Sequence, residues 1–340
     1  MAGLPTVDAP CALCGSDRAV AQWTTSDRAF AVPGVYAVVR CRDCGFLYQR
    51  PRVRDDRLAD CYPDRYPRHQ EPSPRVPFKG SPARIRAVRH ALASGLGYAS
   101  LREDRVGLLT RARAHWLGRR LRWSCPPWTG SGRYLDVGRG SGGMLGVARA
   151  LGWKVAGIEM DEAAAAKARR FTGELHVGDV LGAPFASSSF DVVTAFHVLE
   201  HLTDPVTALR RMLDWLAPGG LLIVEVPNAG GLGARLFGRA WSGLELPRHL
   251  SHFTPATLER AVRMAGGRVI GCRHQAKPRY YLWSWSNLLR DHGLDGLARF
   301  SECRPVYGVL KLVLEGTLPL VSWAARGEVI RISAARVMPA

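Results

Sequence analysis

The run Leu135-Asp136-Val137-Gly138-Arg139-Gly140-Ser141-Gly142-Gly143 is the most restrictive feature of this 340-residue sequence. A short apolar stretch leads into it and a helix-forming segment, reaching Leu151, leads out of it. A strand that passes into a helix through several glycines has to reverse tightly. It also lets a ligand approach the backbone with no Cβ in the way. A glycine-rich turn that binds nothing has the same local pattern, so the surrounding residues have to decide.

Downstream of this turn, strands and helices alternate. Apolar runs predict strands at 134–137, 154–159, 174–177, 190–196, 221–226, 268–273 and 328–334. Helices are expected over 142–151 and over 162–171, the latter with Asp161 as N-cap. Two more open on Asp204-Pro205 and Thr254-Pro255, with proline at the first helical position. Pro218-Gly219-Gly220 reads as the turn into the fifth strand. This order predicts an α/β fold, Rossmann-like and doubly wound, with a mostly parallel sheet and helices on both faces. Three regions are expected: a cysteine-bearing segment (1–50), a linker with amphipathic helices (51–132), and the α/β domain (133–340) with lid insertions at about 228–254 and 277–325. The linker reading rests on Pro51, Pro63, Pro67, Pro72, Pro74, Pro77 and Pro82, the helices on apolar and arginine residues over 83–123.

The glycines fit two patterns. Gly138, Gly140 and Gly143 match the dinucleotide GxGxxG, while Gly138, Gly140 and Gly142 match the GxGxG of S-adenosylmethionine (SAM) enzymes. Glu159 ends the second strand, where a carboxylate can accept from both ribose hydroxyls, as NAD and SAM sites both require. Asp179 follows the third strand, where it can contact an adenine amino group, and Asp191 begins the fourth. LDVGRGSG, GIEMDEAA, GDVLGAPFASSSFDVVTAFHVLEHLTDP and LAPGGLLIVEVPN together resemble the class I SAM-dependent methyltransferases over roughly residues 133–275. The similarity is to the small-molecule branch that includes quinone-biosynthesis and natural-product enzymes. The resemblance implies that Asp136 approaches the SAM amine through water and that Gly138 and Gly140 approach its methionine and ribose. It places Gly142 in the same cradle, Glu159 on the ribose hydroxyls, Asp179 on the adenine, and Met160 near the adenine ring. Phe196 is expected among the cofactor-binding residues at the end of the fourth strand. Arg139 departs from the small residue common in relatives.

Cys11-Ala-Leu-Cys14-Gly15 and Cys41-Arg-Asp-Cys44-Gly45 form CxxC-x26-CxxC. Two such knuckles, each followed by glycine, signal a closed four-thiolate zinc site with a structural role. A disulfide pairing is the rival, disfavoured in a reducing compartment. Cys61, Cys125, Cys272 and Cys303 read as reduced thiols. The second knuckle and its continuation, CRDCGFLYQRP, resemble the zinc-binding segment ahead of sugar C-methyltransferases.

Methyl transfer from a sulfonium is an in-line displacement that needs alignment above all, and an oxygen or acidic carbon acceptor gains from a base. Histidine suits that role. His197 is the first candidate, followed by His201 with Glu200. His249, with Arg248 and His252, stands in the segment Pro247–Thr254 and could meet the acceptor or hold its loop by hydrogen bonds. Tyr280, Tyr281, Trp283 and Trp285 close the pocket or pack in its core.

The formal net charge is +18, and only five of the 47 basic residues are lysine. A GC-rich coding bias accounts for that arginine excess, but the charge also suits anionic partners. No leader peptide is expected in MAGLPTVDAP, and Val306–Ala325, interrupted by Lys311, Glu315, Gly316 and Pro319, is a poor membrane span. A cytoplasmic location follows, with peripheral membrane contact by the basic 83–123 region as a further expectation. The partner expected is a small-molecule methyl acceptor: an O- or C-methylated sugar, quinone or lipid-linked metabolite. The alternatives are an NAD(P)-dependent Rossmann enzyme, an rRNA or tRNA methyltransferase, and a non-enzymatic binding module. Ala195-Phe196-His197-Val198 stands where a base-amine methyltransferase carries an N/D-P-P-Y/F tetrapeptide, which disfavours nucleic acid as substrate.

Overall fold

Residues Phe190–Phe196 are buried at all seven positions, as a strand covered on both faces must be. They form the fourth of seven strands of a sheet in a computed structural model that describes residues 3–62, 77–103, 105–138, 140–324 and 326–337. Arg139 and the prolines at 63, 67, 72 and 74 lie outside the described residues. In chain order, five short strands come first: β1 (Thr6–Val7), β2 (Ala19–Thr25), β3 (Tyr36–Cys41), β4 (Leu47–Gln49) and β5 (Arg52–Val53). Helices α1 (Pro82–Gly95) and α2 (Leu108–Ser124) follow. The alternating part comprises β6 (Arg133–Val137), α3 (Gly143–Ala150), β7 (Lys154–Glu159), α4 (Glu162–Ala168), β8 (Leu175–Val177), β9 (Phe190–Phe196), α5 (Pro205–Asp214) and β10 (Leu216–Pro227). Then come α6 (Leu232–Phe237), β11 (Ser251–His252), α7 (Pro255–Met264), β12 (Gly267–Gln275), α8 (Pro278–Asp291), α9 (Asp295–Glu302), α10 (Arg304–Trp323) and β13 (Val329–Arg336). Seven strands form the central sheet in the order β12-β13-β10-β9-β6-β7-β8. The α/β, Rossmann-like and mostly parallel architecture expected from the sequence is the one observed.

The chain divides into two compact units. One holds Arg65–Ala195 with Arg211–Leu222. In it β6 pairs in parallel with β7 and β9, and β7 in parallel with β8. The expected amphipathic stretch is two helices that pack on each other, burying Ala87, Val88, Leu92 and Leu121. Trp153 Nε1 donates to the Tyr98 hydroxyl at 2.9 Å, which in turn donates to the Pro126 carbonyl at 2.8 Å. β10 starts five residues earlier than expected, so Pro218-Gly219-Gly220 lies inside it. A Cβ on Gly220 would sit 2.8 Å from the Ala217 carbonyl oxygen and 3.2 Å from those of Phe190 and Asp191. Glycine lets these backbones approach.

The other unit holds Met1–Asp64, Phe196–Arg210 and Ile223–Pro339. Its small sheet runs β11-β4-β3-β2, so β11 pairs antiparallel with β4 of the cysteine-bearing segment. β12 and β13 form an antiparallel pair over Gly267–Gln275. α10 departs from expectation, because Gly316 and Pro319 do not break it. Pro319 stands in the last turns of an exposed helix, where water can take the carbonyl that loses its donor.

Candidate functional site

The glycine turn needs its glycines for conformation. Gly138, Gly140 and Gly142 have φ of 64°, 57° and 84°, a region that other residues rarely enter. A Cβ on Gly142 would also press on Ala168 and Phe171 at 3.0–3.1 Å. Glu159, buried at the end of β7, closes the turn: one carboxylate oxygen accepts from the Gly140 N–H and the other from the Asp161 N–H at 3.1 Å. Burial pushes its carboxyl above the ordinary value, against the lowering effect of those N–H groups. Asp136 is buried on β6 and accepts from the Thr194 hydroxyl at 2.7 Å, which lies 2.6 Å from the Tyr134 hydroxyl. Asp179 is exposed and caps its own turn, accepting from the Leu181 N–H at 2.6 Å. Met160 is exposed. Asp191 accepts from the backbone of Ser131 and Arg133 at 3.0 and 2.8 Å, which fastens the chain entering β6.

The histidines fall in the other unit. His197 has a φ of 57°, uncommon for a residue with a side chain. Its Nδ1 lies 3.2 Å from Glu200 Oε1 and its Nε2 3.3 Å from Glu225 Oε1, and its own N–H donates to the Glu225 carbonyl at 2.7 Å. Glu225 also meets Lys277 at 3.0 Å and Arg331 at 2.6 Å. Burial would push the Glu225 carboxyl up, but the two cations hold it well below the usual carboxylate range. The Arg331 guanidinium in turn lies 4.5 Å above the Phe196 ring, which is buried. His201 and His249 form an edge-to-face pair with ring centroids 4.8 Å apart. Burial, and then the charge of His249, push His252 down to about 3, so it stays neutral.

A methyltransferase-domain family profile matches residues 86–270, more than half of the chain. The chain belongs to the SAM-dependent methyltransferases. It is 36% identical to a ubiquinone biosynthesis O-methyltransferase of Marinobacter nauticus over 28% of this chain and 44% of that one. It is 31% identical to the enzyme of that name from Thiobacillus denitrificans over 43% of this chain and 69% of the relative. The chain spans less than half the length of the first curated relatives it matches, 37% and 44% for two of them. A solved SAM-dependent methyltransferase from Thermotoga maritima is 19% identical, covering 62% of this chain and 84% of that one with a TM-score of 0.42.

The methyltransferase carries a further cluster near its N-terminus. The sulfur atoms of Cys11, Cys14, Cys41 and Cys44 lie within 4.8 Å of one another. Cys11–Cys44 and Cys14–Cys41 are each 3.5 Å apart. Four sulfurs at about 2.3 Å from a zinc ion stand roughly 3.8 Å apart, so the spacing fits one tetrahedral ion. All eight cysteines are free. The Gly15 and Gly45 N–H groups donate to the Cys11 and Cys41 carbonyls at 2.8 and 3.0 Å, with φ near +74° at both glycines. Burial raises the Cys41 thiol, but N–H groups of Cys44 and Asp43 and the neighbouring thiols bring it down to about 7.

Several polar residues of the methyltransferase were not singled out from the sequence. Glu225, Lys277 and Arg331 make the charged group around His197. Glu328, fully buried, accepts from Gly233 N–H at 2.8 Å, Tyr281 at 2.9 Å and Trp241 Nε1 at 3.0 Å. The signal for Glu225 was present: one acid inside the apolar run Leu221–Val226.

Proposed function

We propose that this methyltransferase transfers the methyl group of SAM to oxygen or carbon of a small biosynthetic acceptor such as a sugar, quinone or lipid-linked metabolite. The observation that carries the reading is the left-handed backbone at Gly138, Gly140 and Gly142, with the Glu159 carboxylate held by the N–H groups of Gly140 and Asp161. Gly138, Gly140 and Gly142 would leave room for the cofactor, Asp136 would face its amine, and Glu159 its ribose, with Met160, Asp179 and Phe196 around the adenine and the strand end. The bound cofactor supplies a sulfonium methyl open to in-line displacement. His197 is the proposed base, its ring held between Glu200 at Nδ1 and Glu225 at Nε2, so an acceptor hydroxyl would have to take the place of Glu225 beside Nε2. Positioned proton transfer contributes roughly 10²–10⁴-fold to such reactions. Titration calorimetry with SAM and with NAD, followed by a methyl-transfer screen using labelled SAM against quinols, sugar nucleotides and polyprenyl-linked sugars, tests the reading. SAM binding with label incorporation supports it; heat from NAD alone overturns it.

The four N-terminal cysteines support a structural zinc ion, since a closed thiolate set leaves no position for a substrate. A cytoplasmic location is part of the same reading. Peripheral contact with a membrane is favoured by α10. Val309, Leu312, Val313, Leu320 and Trp323 are exposed on it, each by more than half, with Arg304 at one end and Arg326 just past the other. Among the described residues this is the one helix long and apolar enough to cross a membrane, and it also packs on α8, α9 and β12. A helix lying in the interface suits a lipid-linked acceptor.

A further inference from the structure

His201 and His249 share one feature that neither sequence spacing nor the methyl-transfer reading explains. Each turns Nδ1 toward a backbone carbonyl: His201 toward Arg248 O at 3.1 Å and His249 toward Gly243 O at 2.9 Å. A carbonyl only accepts, so Nδ1 carries the proton in both rings, and in the neutral ring the lone pair is left on Nε2. Histidines that ligate metals are fixed in the same way, by giving the other N–H to a carbonyl or carboxylate. The Tyr62 hydroxyl, 3.0 Å from His201 Nδ1, adds a second constraint on that ring.

Glu200 supplies the third group. Its side chain is 1% exposed, and its Oε2 is buried with no hydrogen-bond partner among the described residues, while Oε1 meets His197. An unpartnered buried carboxylate oxygen is costly to keep, and a ligand that satisfies it removes the cost. One ligand atom from each of Glu200, His201 and His249 lies within 4.8 Å of the others. Ligands about 2.1 Å from a tetrahedral ion stand roughly 3.4 Å apart, so side-chain shifts of about 1 Å close the set. Glu245 lies beside the set, its Oε2 3.4 Å from His249 Nε2.

We propose that Glu200, His201 and His249 form a second metal site, distinct from the four cysteines, that takes a divalent first-row cation through two imidazoles and one carboxylate. Imidazole with carboxylate suits zinc, iron or nickel and disfavours calcium and magnesium, which prefer oxygen alone. Three protein ligands leave at least one position for water or an oxygen of an acceptor, the pattern of an open site and not of a structural one. Such an ion acidifies a bound hydroxyl or water.

Cobalt separates the two centres, because thiolate ligands give charge-transfer absorption in the near ultraviolet and an N₂O site gives ligand-field bands alone. The full-length chain, stripped with chelator and titrated with Co²⁺, takes up two equivalents, and only one carries the charge-transfer band. His201→Gln and His249→Gln each remove the band-free equivalent and keep the other. A wild-type chain that binds only the equivalent with charge transfer overturns the proposal, as do variants that retain both equivalents. If a variant fails to fold by circular dichroism, the wild-type titration still decides. SAM calorimetry on the same samples keeps the two readings apart: cofactor binding with a single equivalent removes the metal site alone, and two equivalents with no cofactor binding removes the methyl-transfer reading alone.

Discussion

Arg248 and Asp27, 221 residues apart in sequence, meet in a two-pronged ion pair at 2.8 Å on each arm with both side chains fully buried. Arg248 belongs to the segment between α6 and β11, and Asp27 follows β2, so this contact ties that segment to the cysteine-bearing one within one compact unit. The Asp27 carboxylate also accepts from the N–H groups of Ala29, Phe30 and Val32, and the guanidinium lies 4.6 Å over the Phe30 ring.

Removing one partner of such a pair leaves a buried charge without compensation, which costs about 3–5 kcal/mol. Arg248→Ala is expected to lower Tm by roughly 5–15 °C, and Arg248→Lys to recover only part of it, since a lysine cannot span both oxygens. Burial raises the Asp27 carboxyl, but Arg248 and the backbone N–H groups bring it below its ordinary value. Its contribution is therefore present above the unfolded pKa near 4 and is lost as pH falls below that. Thermal melts from pH 7 to pH 3 check this: the wild type loses stability in the acid range and Asp27→Asn, already destabilised, loses less.

Glu159 is expected to govern cofactor affinity. Glu159→Ala should weaken SAM binding by about 10- to 100-fold, the loss of one or two hydrogen bonds to a charged group. Since burial raises the Glu159 carboxyl, protonation sets in at higher pH than for an ordinary Glu. Affinity should fall on acidification from a point above the usual carboxylate range near 4.3. Calorimetry as a function of pH measures this, and equal affinities for wild type and Glu159→Ala would refute the assignment.

The cysteine cluster predicts a metal-dependent fold for the first 50 residues. Stripping zinc with a chelator is expected to open the segment around β2–β4 to limited proteolysis, with protection restored by zinc and not by magnesium. Cys44→Ser should show the same sensitivity without chelator. Unchanged digestion patterns in both experiments would show that the four thiols hold no ion that matters for folding.

The legible parts of this fold are those whose cause is local. Gly138, Gly140 and Gly142 admit the positive φ that the turn needs, and Asp161 and Thr254 cap the helices they precede, each accepting from the N–H three residues on. Asp204 accepts in the same way from Thr207. What escaped the sequence is long-range pairing. Asp27 has nothing near it in sequence that announces Arg248, and Glu328 reads as the edge of a strand, although Gly233, Trp241 and Tyr281 all converge on it. A Cβ on Gly233 would come within 2.6 Å of the Glu328 carboxylate, so glycine there makes room for that acid. Pro319 does not break α10 because the helix is largely exposed there, so water can serve the carbonyl that loses its donor.

Glu225 holds Lys277, Arg331 and His197 together, and its loss should be felt as stability before chemistry. Glu225→Ala removes the buried carboxylate that Lys277 and Arg331 share, a change of about 3–5 kcal/mol. Glu225→Gln keeps the shape and is expected to cost less. The carboxyl is held well below its ordinary value, so its contribution too is present above the unfolded pKa near 4.3 and fades below it. Denaturant melts of both variants at pH 7 and pH 4 check the ordering, and a Glu225→Ala protein as stable as wild type would show that the cations find other partners.

The exposed face of α10 yields the last prediction. Leu312, Val313 and Leu320 stand 61–71% exposed, and burying one such side chain in a bilayer interface gains about 1.5–3 kcal/mol. Basic residues at the surface of an anionic membrane add about 1 kcal/mol each, and salt weakens that part over a Debye length of about 10 Å at 0.1 M. The protein should co-sediment with phosphatidylglycerol vesicles more than with phosphatidylcholine vesicles, and high salt should reduce binding without abolishing it. Leu312→Glu with Leu320→Glu should cut the residual, salt-resistant binding at least tenfold while leaving SAM affinity in place. Binding that vanishes entirely in salt would assign the interaction to charge alone and take α10 out of it; no binding to either vesicle would remove membrane contact from the function of this enzyme.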